Sequence, residues 1–149
     1  MPTRIETAKI EAAEIARDCL ASRTRRLDRL MARIYDGALR GQGLTGPQLE
    51  MLVAIELGGP TTAAWVGRRL ELEKSTVSRN LVRLVAAELV ETDDDHRLRV
   101  TARGAALIRA CHPLWRRAQK QAEAALGIRA ARLLAAIPSS SPTPKGGPS

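Results

Sequence analysis

Six consecutive residues, Lys74-Ser75-Thr76-Val77-Ser78-Arg79, concentrate polar chemistry at the centre of the chain. Short hydroxyls at a helix start allow close approach to an anion, and the unpaired N–H groups of the first turn bind phosphate. An arginine one turn further along offers two parallel donors, the geometry that reads the O6/N7 edge of guanine. In a helix starting near Ser75, the residues Val77, Leu81, Leu84 and Val85 face a core, while Ser75, Thr76, Ser78, Arg79 and Arg83 face outward. That division suits a helix lying in a major groove. A solvated polar face on an ordinary helix is the alternative.

No other part of the chain offers reaction chemistry. Cys19 and Cys111 are the two cysteines, without C-x-x-C spacing. Together with His112 they have no metal-ligand spacing, and they read as core cysteines and a satisfied histidine beside Pro113. The chain has no glycine-rich phosphate loop, nucleophile elbow or histidine pair at metal spacing, so neither an enzyme nor a metal or other cofactor is expected. The aromatics are Tyr35, Trp65 and Trp115, too few for the stacking platforms of single-strand or RNA-binding modules.

The elements that must position the central run can be read from periodicity. Ile5, Ala8, Ala12, Ile15, Ala16 and Cys19, then Leu27, Leu30, Met31, Ile34 and Ala38, repeat at three and four, predicting one long helix or two in line over 3–39. Thr45-Gly46-Pro47-Gln48 is a helix start, with threonine as N-cap, proline in the first turn and glutamine completing a capping box. That helix carries Leu49, Leu52, Val53 and Leu57 and ends at Gly58-Gly59-Pro60. Helices over 62–70 and 75–87 follow, separated by Glu71-Leu72-Glu73-Lys74. The period then shortens. Leu89-Val90-Glu91-Thr92 and Leu98-Arg99-Val100-Thr101 flank Asp93-Asp94-Asp95-His96-Arg97 as a hairpin. Thr101 opens a helix to about Leu126, and 128–137 is a last short one. Four Pro, four Ser and two Gly in 138–149 predict a disordered tail.

At 149 residues, 44% apolar and 27% charged, the chain suits one soluble domain with a tail. No apolar run approaches the roughly 18 residues of a membrane span, and Met1-Pro2-Thr3-Arg4 opens no apolar leader, so a cytoplasmic protein is expected. The net charge of +8 points to an anionic partner. Its distribution is uneven: residues 1–40 carry nine basic and six acidic side chains, 41–70 two of each, 71–100 five and seven, and 101–149 eight and one. The centre must therefore recognise nucleic acid through placed residues, not bulk charge. Arg116, Arg117 and Lys120 are a basic cluster on the long helix, either solvated or tracking a DNA backbone.

The segments Leu44-Thr45-Gly46-Pro47-Gln48-Leu49, Trp65-Val66-Gly67-Arg68-Arg69-Leu70, Leu72 to Leu81 with its Lys-Ser-Thr-Val-Ser-Arg core, Leu89-Val90 and Val100-Thr101-Ala102-Arg103-Gly104 resemble the MarR family of bacterial transcriptional regulators over about residues 15–137. The resemblance implies a mostly α fold with a small β-hairpin: a winged helix-turn-helix, its DNA-binding part over about 45–104, with N- and C-terminal helices for dimerisation and residues 1–14 as a helical extension. It implies a homodimer on double-stranded DNA with an inverted-repeat operator, probing it with Lys74, Ser75, Thr76, Ser78, Arg79 and Arg83, and with Arg97 and Arg99 of the wing. Family members often respond to small apolar or phenolic effectors, and Met31, Trp65 and Trp115 would line such a pocket. Some sense oxidants, which singles out Cys19, bonded to Cys111 of either subunit; a buried apolar cysteine on the helix stripe is the alternative. Two departures stand out. The family usually has glycine where this chain has Glu71 and Glu88, so a left-handed backbone there would cost about 1 kcal/mol each. The wing is short and acidic, and its Asp95-His96-Arg97 suggests an Arg97–Asp95 pair, either with Arg97 at a minor groove or as a purely local ion pair. A helical interaction or ligand-binding module without operator binding is the other functional class open to this fold.

Overall fold

The computed structural model describes Met1 and residues 3–137; the expected tail over 138–149 lies outside the described residues. In chain order the elements are α1 (Arg4–Asp18), α2 (Leu20–Leu39), a 3-10 turn (Arg40–Gln42), α3 (Gly46–Gly58), α4 (Ala63–Leu70), α5 (Lys74–Ala86), β1 (Val90–Thr92), β2 (Leu98–Val100), α6 (Ala102–Leu126) and α7 (Ile128–Ala135). This is a winged helix-turn-helix with additional helices at both ends. Four helices begin at a threonine whose hydroxyl accepts a first-turn N–H: Thr3, Thr45, Thr62 and Thr101. At α3 the expected capping box is complete, with Gln48 Oε1 accepting the Thr45 N–H at 3.0 Å.

The core forms around α3, which buries Leu49, Met51, Leu52, Ala54 and Ile55. Leu39 of α2, Val66 of α4, Val77 and Leu84 of α5, Leu98 of the wing and Cys111 of α6 close on it. Two residues expected inside are outside. Leu57 is 68% exposed near the C-terminal end of α3. Val85 is 44% exposed, because Val77 and Leu84, with the partly buried Leu81, fill the buried face of α5. The N-terminal pattern resolves into two helices, not one. Cys19 takes an extended backbone (ψ 108°), closing α1 through its N–H to the Ile15 carbonyl and opening α2 through its own carbonyl.

β1 and β2 pair antiparallel, Val90 opposite Val100 and Thr92 opposite Leu98. The other edge of Leu98 exchanges both backbone hydrogen bonds with Thr61, at 2.7 and 3.1 Å, so the short return strand is held from both sides. Gly104 sits where α6 crosses the wing root; a Cβ there would run into the Leu89 carbonyl and the Val100 side chain.

The two glutamates in glycine-type positions keep the left-handed backbone, with φ of 52° at Glu71 and 59° at Glu88. Each closes its helix in a Schellman motif: Leu72 N–H donates to the Gly67 carbonyl (2.9 Å) and Leu89 N–H to the Leu84 carbonyl (3.0 Å). The left-handed backbone and its cost are retained at both helix ends. Glu71→Gly and Glu88→Gly should each raise unfolding free energy by about 1 kcal/mol. Denaturant melts at fixed protein concentration check this, and an unchanged or lower midpoint would contradict it.

Candidate nucleic-acid interface

α5 departs from the threonine-capped helices. Its N-cap, Glu73, gives no side-chain hydrogen bond, although its carbonyl accepts from Thr76 and Val77. The Lys74 and Ser75 N–H groups at the start of α5 therefore have no capping side chain. Lys74, Ser75, Ser78, Arg79 and Arg83 are exposed and Thr76 is half-buried, its carbonyl accepting the Asn80 amide at 3.0 Å. The central run thus forms one outward face with donors at its N-terminal end. Val82, 66% exposed, belongs to that face at helical spacing from Ser75 and Ser78. The sequence pattern assigns Val82 to neither face; its spacing from Ser75 is the available signal.

The wing is organised by a single carboxylate. Asp93 Oδ1 accepts the N–H groups of Arg97 (2.7 Å) and Asp95 (3.1 Å), while Oδ2 meets Arg99 Nε at 3.4 Å. His96 completes the turn in the left-handed region at φ 57°. The expected Arg97–Asp95 pair is therefore corrected: the wing's ion pair is Arg99–Asp93. Backbone N–H groups drawn onto Asp93 turn its carboxylate toward the return strand, where Arg99 lies. Arg99 is tied at the wing root and Arg97 is exposed at the tip.

Of the three pocket residues expected, two come together. A cavity of about 580 Å³ opens between α2, α3 and α6, lined by Met31, Tyr35, Leu39, Val53, Ile108 and Trp115 among others. Trp65 is elsewhere: its ring lies against Gly58, with the Arg69 guanidinium 5.6 Å from the ring centre. It closes the α3–α4 corner and lines no part of that cavity.

The two cysteines differ. Cys19 is not buried on a helix stripe but half-buried at the α1–α2 junction, where the Ser22 N–H and hydroxyl, the Ala21 N–H and the Arg25 charge hold its thiol below its usual pKa. Cys111 is 1% exposed, and burial pushes its thiol up. A core thiol of this kind is a poor partner for a bond with Cys19. Among the described residues, no group of three or more His, Cys, Asp or Glu could hold a metal ion.

The family model described as "MarR family" matches residues 42–98, which span α3 to the first residue of β2. The crystal structure of the Mycobacterium tuberculosis transcriptional regulator MosR is 34% identical, covers 79% of this chain and 91% of its own, and superposes with a TM-score of 0.69. The chain belongs to the MarR family. Family membership makes it a DNA-binding transcriptional regulator, not an enzyme. MosR in complex with DNA matches over 79% of this chain and 93% of its own, at 34% identity and TM-score 0.67. Bordetella bronchiseptica BpsR, whose DNA binding is regulated by 6-hydroxynicotinic acid, shares the fold at 19% identity (79% and 90% covered, TM-score 0.70). No curated protein sequence matches the chain.

Two outcomes follow from this geometry. The Arg97 N–H, then the Arg99 side chain and the Asp95 N–H, lower the Asp93 pKa below its ordinary 3.8. A depressed carboxylate supports the fold above its unfolded pKa and loses that support as pH falls through the folded value. The Arg97 amide shift followed by NMR should therefore titrate with a midpoint below 3.8, and a midpoint at or above it would contradict the arrangement. Monobromobimane at neutral pH should label Cys19 at least about tenfold faster than Cys111, as peptide mass mapping would show; equal rates would contradict the assignment.

Proposed function

We propose that the protein is a homodimeric transcriptional repressor that binds an inverted-repeat operator in double-stranded DNA and is released by a small apolar or phenolic effector in the α2–α3–α6 cavity. One observation carries this reading: the uncapped N-terminus of α5, with Ser75, Ser78 and Arg79 exposed beside it and a buried face behind. Arg79 reads a guanine edge, Ser75, Thr76 and Ser78 fix the helix on bases and phosphate, and Lys74 and Arg83 meet phosphate. Arg97 enters a minor groove from the wing tip, while Arg99 acts at the root by holding Asp93. Dimerisation is supported by α1 and α7, which bury no residue and leave Ile5, Ile10, Ile15, Ile128 and Leu133 exposed. The place of action is the cytoplasm, where the DNA is. Cys19 modulates binding on oxidation through its own thiolate, without Cys111.

The test is selection of a duplex from random sequence, followed by affinity measurements. Half-sites should lie about 10 bp apart. Arg79→Ala should weaken binding and cut preference for the selected site by about 1 to 3 kcal/mol, whereas Lys74→Ala should weaken all duplexes alike. Full preference retained by Arg79→Ala would refute the assigned reading head. A failure to select any duplex would favour the interaction-module alternative.

A further inference from the structure

The charge of whatever enters the α2–α3–α6 cavity can be argued from its walls. At about 580 Å³ it is within the size range of small-molecule sites. Met31, Val53, Ile108 and Trp115 give it an apolar body. Its lining carboxylates are Asp28, Asp36 and Glu50, its titratable nitrogen group is the His112 imidazole, stacked on Trp115, and neither lysine nor arginine lines it. In a chain with 24 basic and 16 acidic side chains, that exclusion runs against the overall excess.

The backbone donors at the α3 N-terminus and the Tyr35 hydroxyl, which would bind an anion, are already used. The N-terminus of α3 borders the cavity at Gly46 and Pro47, where an anion would ordinarily be favoured. The Gly46 N–H donates to Asp36 Oδ1 at 2.6 Å, Pro47 has no N–H, and the Gln48 N–H donates to Thr45 Oγ1. The Tyr35 hydroxyl donates to Gln119 Oε1. Meanwhile the groups that favour a cation are available. Trp115 is 41% exposed, its ring stacked on His112 with centroids 6.1 Å apart, and offers a π face. Burial against the cavity wall raises the Glu50 pKa, and a cation nearby would relieve the cost of its charged form.

We infer that this cavity takes a hydrophobic cation, an amine or quaternary ammonium on an aromatic or aliphatic body, and discriminates against aromatic carboxylates. The inference rests on the reading of the cavity as an effector site and assigns that effector its charge. Glu50 and Asp28 meet the ammonium, and Trp115 covers the body.

Three probes with one body separate the possibilities: 4-phenylbutylammonium, 4-phenylbutanol and 4-phenylbutyrate, titrated by calorimetry into the full chain. Binding should weaken in that order, with about tenfold or more between the ends. The Glu50→Gln, Asp28→Asn double variant, checked for an unchanged circular dichroism spectrum, should lose about tenfold for the ammonium and lose little for the alcohol. If the variant misfolds, each single substitution is measured in its place. Tighter binding of the butyrate, or equal binding of all three, overturns the cation assignment and leaves the effector site standing. Binding of none of the three, with no effect on operator affinity, overturns both.

Discussion

The backbone of Glu88-Leu89 is where the reading helix, the wing and the long C-terminal helix are joined. The Leu89 N–H closes α5 on the Leu84 carbonyl, and the Leu89 carbonyl accepts the Thr101 N–H at 3.1 Å. The Glu88 carbonyl accepts the Thr101 hydroxyl at 2.7 Å, while that same hydroxyl oxygen caps α6 through the Gly104 N–H. Gly104 is required because α6 passes so close to the Leu89 carbonyl that no side chain fits. These hydrogen bonds occupy both backbone carbonyls, and Leu89 and Val90 bury their side chains just behind them. The left-handed strain at Glu88 persists because this surrounding network determines the turn more strongly than the residue's own preference does.

That junction fixes how charge is presented on the proposed DNA-facing side. The 71–100 segment is net acidic, and of its acids Glu73 stands exposed at the N-terminus of α5. Glu71 and Glu88 occupy helix-terminating turns, and Asp93 is spent on the wing turn. The cations are left on the outward side of α5 and at the wing tip. Electrostatic attraction over a Debye length sees the sum, but contact within a groove sees the arrangement. A wing whose root is neutralised by Arg99–Asp93 can carry Asp94 and Asp95 outward and still offer Arg97.

The order of elements was legible because each boundary has a local cause. Threonine caps, the Thr45–Gln48 capping box and the switch from period 3.6 to 2 at Leu89 need no tertiary information. The Arg79 face was legible for the same reason. What escaped depends on neighbours distant in sequence. Val85 and Leu57 fit an apolar period yet stand exposed. Trp65 packs on Gly58 instead of in the cavity because the α3–α4 corner brings the two together, which composition does not reveal. The wing ion pair was misassigned because a carboxylate's partner is chosen by the turn: once Asp93 gathers two backbone N–H groups, Arg99 is the nearest guanidinium. Cys19 looked like a stripe residue because the periodicity runs through the junction that its extended backbone creates.

One element spans every region with a proposed role. α6 begins at the Thr101 junction beneath the wing, passes the cavity with Ile108, Cys111 and Trp115, and continues to Gln119 and Ala122, against α2 and α7. Pro113 lies midway and leaves the Arg109 carbonyl without its helical donor, so the helix is least stiff beside the cavity. An occupant that moves Trp115 shifts a helix whose first turn is bonded to Glu88 and Leu89, and a tightly packed junction transmits such a shift instead of absorbing it. The reading helix is tied through Leu84 and Leu89 to that same turn. Coupling between cavity and groove thus requires no conformational change within α5. In the proposed homodimer, a change in the angle at which α6 leaves the Glu88-Leu89 turn is enough to alter how the two copies of α5 are spaced.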